Sequence, residues 1–221
     1  MTIATFDGVL TRGWMLRFTE SVYATEAELT ALDQRAGDGD FGTNLAAGVR
    51  AAGLLLDRMD DSAGPAEVLG SMATAFLDEV GGTSGPLFGL LFQELSRGAD
   101  GSGAGLTAAA IAEGTAQGLA AIRRVGEASP GDKTLVDALA PAADALRAAA
   151  DQSPATALAN AAESAWYGVR DTASLTARMG RASYLGERAT GIPDPGAVGI
   201  ALLFAAAGEV VHSLESHLAS G

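Results

Sequence analysis

The chain has 221 residues, 48% of them hydrophobic and only 5% aromatic, with a formal net charge of −13. That length fits one domain, or at most two small ones, with enough apolar material for a core of small aliphatic side chains. The acidic balance argues against nucleic acid or anionic lipid as a partner, and the lack of cysteine removes disulfides and thiolate chemistry, compatible with a reducing cytoplasm.

Asp7 and Arg12 interrupt the basic-then-apolar layout of a signal peptide. The most apolar run, residues 197–208, lies between Asp194 and Glu209 and is too short to span a bilayer. A soluble cytoplasmic protein is expected.

Nearly every segment carries helical spacing, and no alternating strand stands out. Residues 7–24 form an apolar stripe through Val9, Trp14, Phe18 and Val22. Thr25 and Glu28 have the spacing of a capping box that opens a short second helix ending near Asp33. Helices are then expected over 44–59, 66–80 (with Pro65 in the first turn), 87–97, 106–125, from about 134 to 151, 153–178 and 195–218. Residues 98–105 and 180–188 read as loops. About eight antiparallel amphipathic helices with short connections predict a single all-α domain, an up-and-down bundle or closed helical barrel.

The most telling stretch is 33–44, which places Asp33, Asp38 and Asp40 within eight residues and threads Gly37 and Gly39 between them. Converging carboxylates repel one another unless a cation lies between them. Hard divalent ions such as Mg²⁺ take such oxygens together with phosphate and water. A helix start just beyond, at Thr43 or Asn44, would favour an anion. Taken alone, the stretch reads equally as a solvated acidic turn. An EF-hand loop does not fit, because Thr43 and Val49 stand where a glycine and a glutamate are required.

Residues 81–86 offer glycines with the hydroxyls of Thr83 and Ser84 ahead of a helix, the groups that cradle phosphate; alone, they read first as a connector. Gly131, Lys133 and Thr134 suggest a Walker A loop, but Asp132 intrudes and no strand precedes it. Thr134 then reads as a helix cap. Arg178, Arg181 and Arg188 cluster around 180–187 and suit phosphate recognition, although Asp171 and Glu187 could pair with them on the surface. His212 and His217 lie on the terminal helix as bystanders, which disfavours a Ser-His-Asp hydrolase or a histidine-bound zinc.

Together these stretches resemble the nucleotide-binding L subunit of dihydroxyacetone kinase, in that family's order across nearly the whole chain. The resemblance is carried by Leu32, Asp33 and residues 37–40, by 81–89, by 130–134 with Asp137, by 180–188 and by 194–197. It implies one L-type domain over 1–221, an eight-helix barrel holding ADP or ATP at one end through two Mg²⁺. Asp33, Asp38 and Asp40 would be the metal ligands. Gly42, Thr43, Asn44, Thr83 and Ser84 would lie against the phosphates. Gly126 and Leu135 would flank the nucleotide, Arg181 would reach it, and Asp194, Pro195 and Gly196 would close the pocket.

The resemblance further implies transfer of a phosphoryl group to dihydroxyacetone or a related short ketose held by a separate K-type subunit. Recharging would come from free ATP or from a phosphohistidine-bearing M-type phosphotransferase subunit, and a homodimer is a further expectation. Phe41 and Ile192 depart from the pattern, standing where the family commonly has histidine. That departure leaves open a non-catalytic, nucleotide-binding regulatory relative that docks on partner proteins. A plain helical scaffold is the remaining alternative.

Overall fold

Residues 14–36 contain neither glycine nor proline, which leaves nothing to stop the first helix before Gly37. The computed structural model describes residues 5–82, 84–101, 105–184 and 189–219, with the side chains of Glu79 and Arg181 outside that description. Helix α1 runs unbroken over Gly8–Ala36. The expected break at Thr25 does not occur. Its hydroxyl donates back to the Ser21 carbonyl at 2.8 Å inside the helix, a pairing open to threonine in mid-helix.

The other helices are α2 (Phe41–Leu56), α3 (Pro65–Glu79), α4 (Ser84–Asp100), α5 (Ala108–Gly126), α6 (Val136–Ala148), α7 (Pro154–Thr172), α8 (Pro195–Ala205) and the short α9 (Glu215–Leu218), with a 3-10 turn at Arg181–Tyr184. No strand occurs among the described residues; Phe6 and Leu106 form one isolated antiparallel bridge. The last predicted helix is cut in two. After α8 the chain turns at Ala205–Gly208 and runs irregularly to α9.

Each helix from α1 to α7 packs on its successor, and α8 returns to α1, so eight helices close a barrel. Phenylalanine rings fill it, with Phe76 and Phe92 centroids 5.3 Å apart and Phe18 and Phe92 6.2 Å apart. Helix α8 is not amphipathic. Every residue from Pro195 to Phe204 except Gly196 is buried, as expected for a helix apolar on all sides.

Long-range polar bonds seal the α1–α8 seam. Trp14 Nε1 donates to the Leu203 carbonyl at 2.7 Å, and Arg17 donates to Ala206 and Ala207 at 2.7 and 2.8 Å. These carbonyls sit at the end of α8, where backbone acceptors lack helical partners and a cation is favoured. Glu28, expected in a cap, instead accepts from the Leu214 N–H at 3.0 Å and straps the C-terminal segment to α1. His217 is no bystander either. Its ring stacks on Trp166 at 4.4 Å and 12°, and burial there holds its pKa below the ordinary histidine value.

Candidate functional site

The alternating course of the barrel gathers the N-termini of α2, α4, α6 and α8 at one end. They meet around a single cleft lined by Asp33, Asp38, Asp40, Asn44, Ser84, Leu135, Asp194, Pro195 and Gly196, among others. A helix N-terminus presents unpaired N–H groups and a partial positive charge. Four of them face one cleft, an arrangement of backbone dipoles that favours an anion inside an acidic protein.

The acidic turn is built by local geometry. Asp33 sits in the last turn of α1, 8% exposed, and its Oδ2 accepts the Phe41 N–H at 3.0 Å, which fixes the carboxylate under the start of α2. Gly37 leaves room for it: a Cβ there would lie 2.4 Å from Asp33 Oδ1. Gly39 takes a positive φ of 81°, a conformation glycine adopts without steric cost. The chain therefore doubles back and places carboxylate oxygens of Asp33, Asp38 and Asp40 within 4.8 Å of one another. Three hard oxygen donors at that spacing suit a Mg²⁺-type ion rather than a soft metal.

The structure separates the other predicted residues. Asn44 and Ser84 line the cleft, as do Gly126 and Leu135. Gly42 and Thr43 do not line it. The missing side chain of Gly42 instead faces Thr30 Oγ1 and the Glu26 carbonyl, 2.3 and 2.6 Å from where a Cβ would be. With the Phe41 N–H bound to Asp33 and the Asn44 N–H to Asp40, Gly42 and Thr43 supply the remaining backbone donors of that turn. Thr83, Glu187, Arg188 and the Arg181 side chain lie outside the described residues. Arg178 is an exposed surface pair, 3.5 Å from Asp132 rather than from Asp171.

The 131–134 turn is organised by Asp137, whose carboxylate accepts the N–H groups of Gly131 at 2.5 Å and Thr134 at 2.8 Å. Thr134 Oγ1 in turn accepts the Val136 N–H at 3.2 Å, so the capping expectation holds in part. Sequence reading missed Lys133, Ile122, Ala128, Met179 and Ala182 as cleft residues. Ile122, Ala128 and Met179 are small or apolar and carry no motif of their own, while Lys133 and Ala182 lie inside stretches that carry the resemblance. Of the two departures, Phe41 lines the cleft while Ile192 is buried in the core and offers its carbonyl to Lys133.

Asp194 caps α8, its Oδ2 accepting the Ala197 N–H at 2.7 Å. Burial, reinforced by the charges of Asp137 and Asp33, pushes its carboxyl up to about 7 against the opposing pull of the Ala197 N–H and Lys133. A folded carboxyl that holds its proton more tightly than the unfolded one makes stability fall as pH rises from about 4 to 7. An asparagine side chain at this position would cap equally well. In the absence of metal and nucleotide, Asp194→Asn is therefore expected to gain stability relative to the parent across that window. Urea unfolding at pH 4.5 and 7.5 checks it; a constant difference between the two proteins contradicts it.

Comparisons with known proteins fall on the same region. Residues 35–209 match the DAK2 domain. The L-erythrulose 1-kinase of Mycolicibacterium smegmatis is 42% identical over 185 residues, covering 83% of this chain and 32% of that kinase. The ADP-binding subunit DhaL of the PEP-dependent dihydroxyacetone kinase of Escherichia coli is 35% identical, covering 85% of this chain and 89% of the subunit. The crystal structure of the dihydroxyacetone kinase of C. freundii in complex with AMP-PNP and Mg²⁺ aligns with a TM-score of 0.69 at 28% identity, covering 93% of this chain and 34% of that one. This chain thus spans about a third of the erythrulose kinases and nearly all of the DhaL subunit. It belongs to the DAK2-domain family, as a relative of the dihydroxyacetone kinase L subunit.

Proposed function

We propose that residues 1–221 act as one L-type domain that binds ADP or ATP with Mg²⁺ and serves as the phosphoryl-donating part of a short-ketose kinase. The observation that carries this reading is the convergence of Asp33, Asp38 and Asp40 within 4.8 Å, beside four helix N-termini. Asp33, Asp38 and Asp40 would hold the metal, two ions on the family pattern, and the bound metal would neutralise phosphate oxygens. The backbone donors of Gly42 and Thr43, with Asn44, Thr83 and Ser84, would position the phosphates. Ile122, Gly126, Leu135 and Met179 would form the wall against the base, with Arg181 reaching the nucleotide and Asp194, Pro195 and Gly196 closing the pocket.

Phosphoryl transfer depends mainly on positioning and charge stabilisation, and those are the tasks this cleft is built for. The acceptor hydroxyl and the base that takes its proton would come from a separate K-type subunit holding dihydroxyacetone or a tetrose such as erythrulose. Free ATP, or an M-type phosphohistidine protein acting on bound ADP, would supply the phosphate. No described helix is long and apolar enough to cross a membrane, which fits action in the cytoplasm, alone or as a homodimer.

The test is phosphorylation of dihydroxyacetone and of erythrulose by this chain with a K-type subunit, with Mg²⁺ and each donor in turn. The expected result is a Mg²⁺-dependent ketose phosphate with one of the donors. Retained ADP binding with no product from any pairing overturns the kinase reading and favours the regulatory relative.

A further inference from the structure

The chain contains a single lysine among fourteen basic residues, and that lysine is buried, with Lys133 only 1% exposed. Its backbone takes a positive φ of 61°, uncommon for a residue with a side chain. This conformation accompanies an inward-directed side chain. The ammonium donates to the Thr172 carbonyl at 2.6 Å and the Ile192 carbonyl at 2.7 Å. An ammonium taken out of water costs several kcal/mol unless it is well paired, so the placement calls for a reason.

Those two carbonyls mark the ends of one segment. Thr172 closes α7, and Ile192 stands two residues before the cap of α8. Between them lie Met179, Gly180 and Ala182, which wall the cleft, and just beyond come Asp194, Pro195 and Gly196. Further bonds reinforce the same closure: Gly191 N–H to the Ala173 carbonyl at 2.8 Å, and Asp194 N–H to Thr172 Oγ1 at 2.8 Å. The Arg178 N–H also reaches the Asp132 carbonyl, at 3.1 Å. Lys133 thus draws both ends of the 173–191 segment to the 131–134 turn. The α7 end carries unpaired carbonyls and partial negative charge, which favour a cation there. A compact ammonium can serve two carbonyls from a point, where a planar guanidinium would need a wider slot.

We infer that Lys133 is a positioning residue, a buried latch that holds the cleft wall at Met179, Gly180 and Ala182 closed and thereby sets nucleotide affinity without touching the nucleotide. The inference rests on the nucleotide reading above. It separates this lysine from the phosphate-binding lysine that the neighbouring glycine and threonine first suggest. Because closure and binding share one equilibrium, the nucleotide must tighten the latch by the factor with which the latch tightens the nucleotide.

The test uses the full chain in three measurements. Calorimetry gives Mg²⁺–ADP affinity for wild type and Lys133→Met, and Mn²⁺ binding without nucleotide reports the aspartate cluster. In the third, ¹⁵N-lysine labelling yields a single ammonium signal, so the hydrogen exchange of Lys133 Nζ can be followed in the wild-type chain. Lys133→Met should bind Mg²⁺–ADP at least about tenfold more weakly and bind Mn²⁺ as wild type does. With a K-type subunit it should raise the nucleotide KM while keeping kcat at saturation. In wild type, saturating Mg²⁺–ADP should slow ammonium exchange by a similar factor, a result that does not depend on the variant folding. Equal Mg²⁺–ADP affinity of the two proteins, or ammonium exchange indifferent to Mg²⁺–ADP, overturns the latch alone. Failure of wild type to bind Mg²⁺–ADP overturns the nucleotide reading itself.

Discussion

Asp33→Asn is expected to weaken Mg²⁺–ADP binding by at least about 100-fold, since even residues behind a metal ligand commonly cost 10- to 100-fold, while leaving the fold standing. Asparagine retains an oxygen to accept the Phe41 N–H, now 3.0 Å from Asp33 Oδ2, so the entry to α2 keeps its support. What it removes is one of three negative charges crowded within 4.8 Å. Without a cation those charges repel, so ligand-free Asp33→Asn should be at least as thermally stable as the parent. A loss of affinity with no loss of melting temperature marks a binding site. If the acidic turn were only structural, the same change would lower stability and leave ADP binding, if any, untouched. Calorimetric titration paired with a thermal melt decides between them.

Gly168→Ala is expected to act in the opposite way, through packing. A Cβ at Gly168 would stand 2.2 Å from the Asp137 carbonyl oxygen and 3.0 Å from Ala138 Cα, both backbone atoms that cannot swing aside. Pro141 explains the close approach. It lies inside α6 and has no N–H for the carbonyl four residues earlier, that of Asp137, and α7 brings Gly168 against that oxygen. Overpacking of this kind costs about 1–3 kcal/mol, or a melting temperature lower by roughly 3–10 °C for a chain of this size. Since the Asp137 carboxylate also holds the 131–134 turn, nucleotide affinity should fall with stability. Gly53→Ala is the control: nothing lies within 4 Å of its Cβ position inside α2. It should stabilise by about 0.4–1 kcal/mol, and a thermal melt that shows Gly168→Ala as harmless as Gly53→Ala refutes the packing argument.

The sequence made the helical class and the acidic turn legible because each rests on local information. Apolar spacing marks helices, and Asp33, Asp38 and Asp40 come together through a turn of a few residues. What it hid depends on distant partners. Thr25 and Glu28 matched a capping box, yet the hydroxyl bonds within the helix and the carboxylate reaches across to Leu214. His217 looked idle because its partner, Trp166, is fifty-one residues away in sequence. The packing duty of Gly42, whose bare face lets α2 sit on α1 at Thr30 and Glu26, was hidden for the same reason. The apolar wall of the cleft was invisible for a plainer reason: Ile122, Ala128 and Met179 are ordinary helix and loop residues until the barrel closes.

Metal and nucleotide must occupy one site together if the acidic turn and the four helix ends act as a unit. Calorimetric titration of ADP into the full chain, once with Mg²⁺ and once with excess chelator, tests that dependence directly. Saturable binding with Mg²⁺ that disappears with chelator and returns with Mn²⁺ is the predicted result. ADP binding of equal strength with chelator, or no binding in the presence of Mg²⁺, would contradict it.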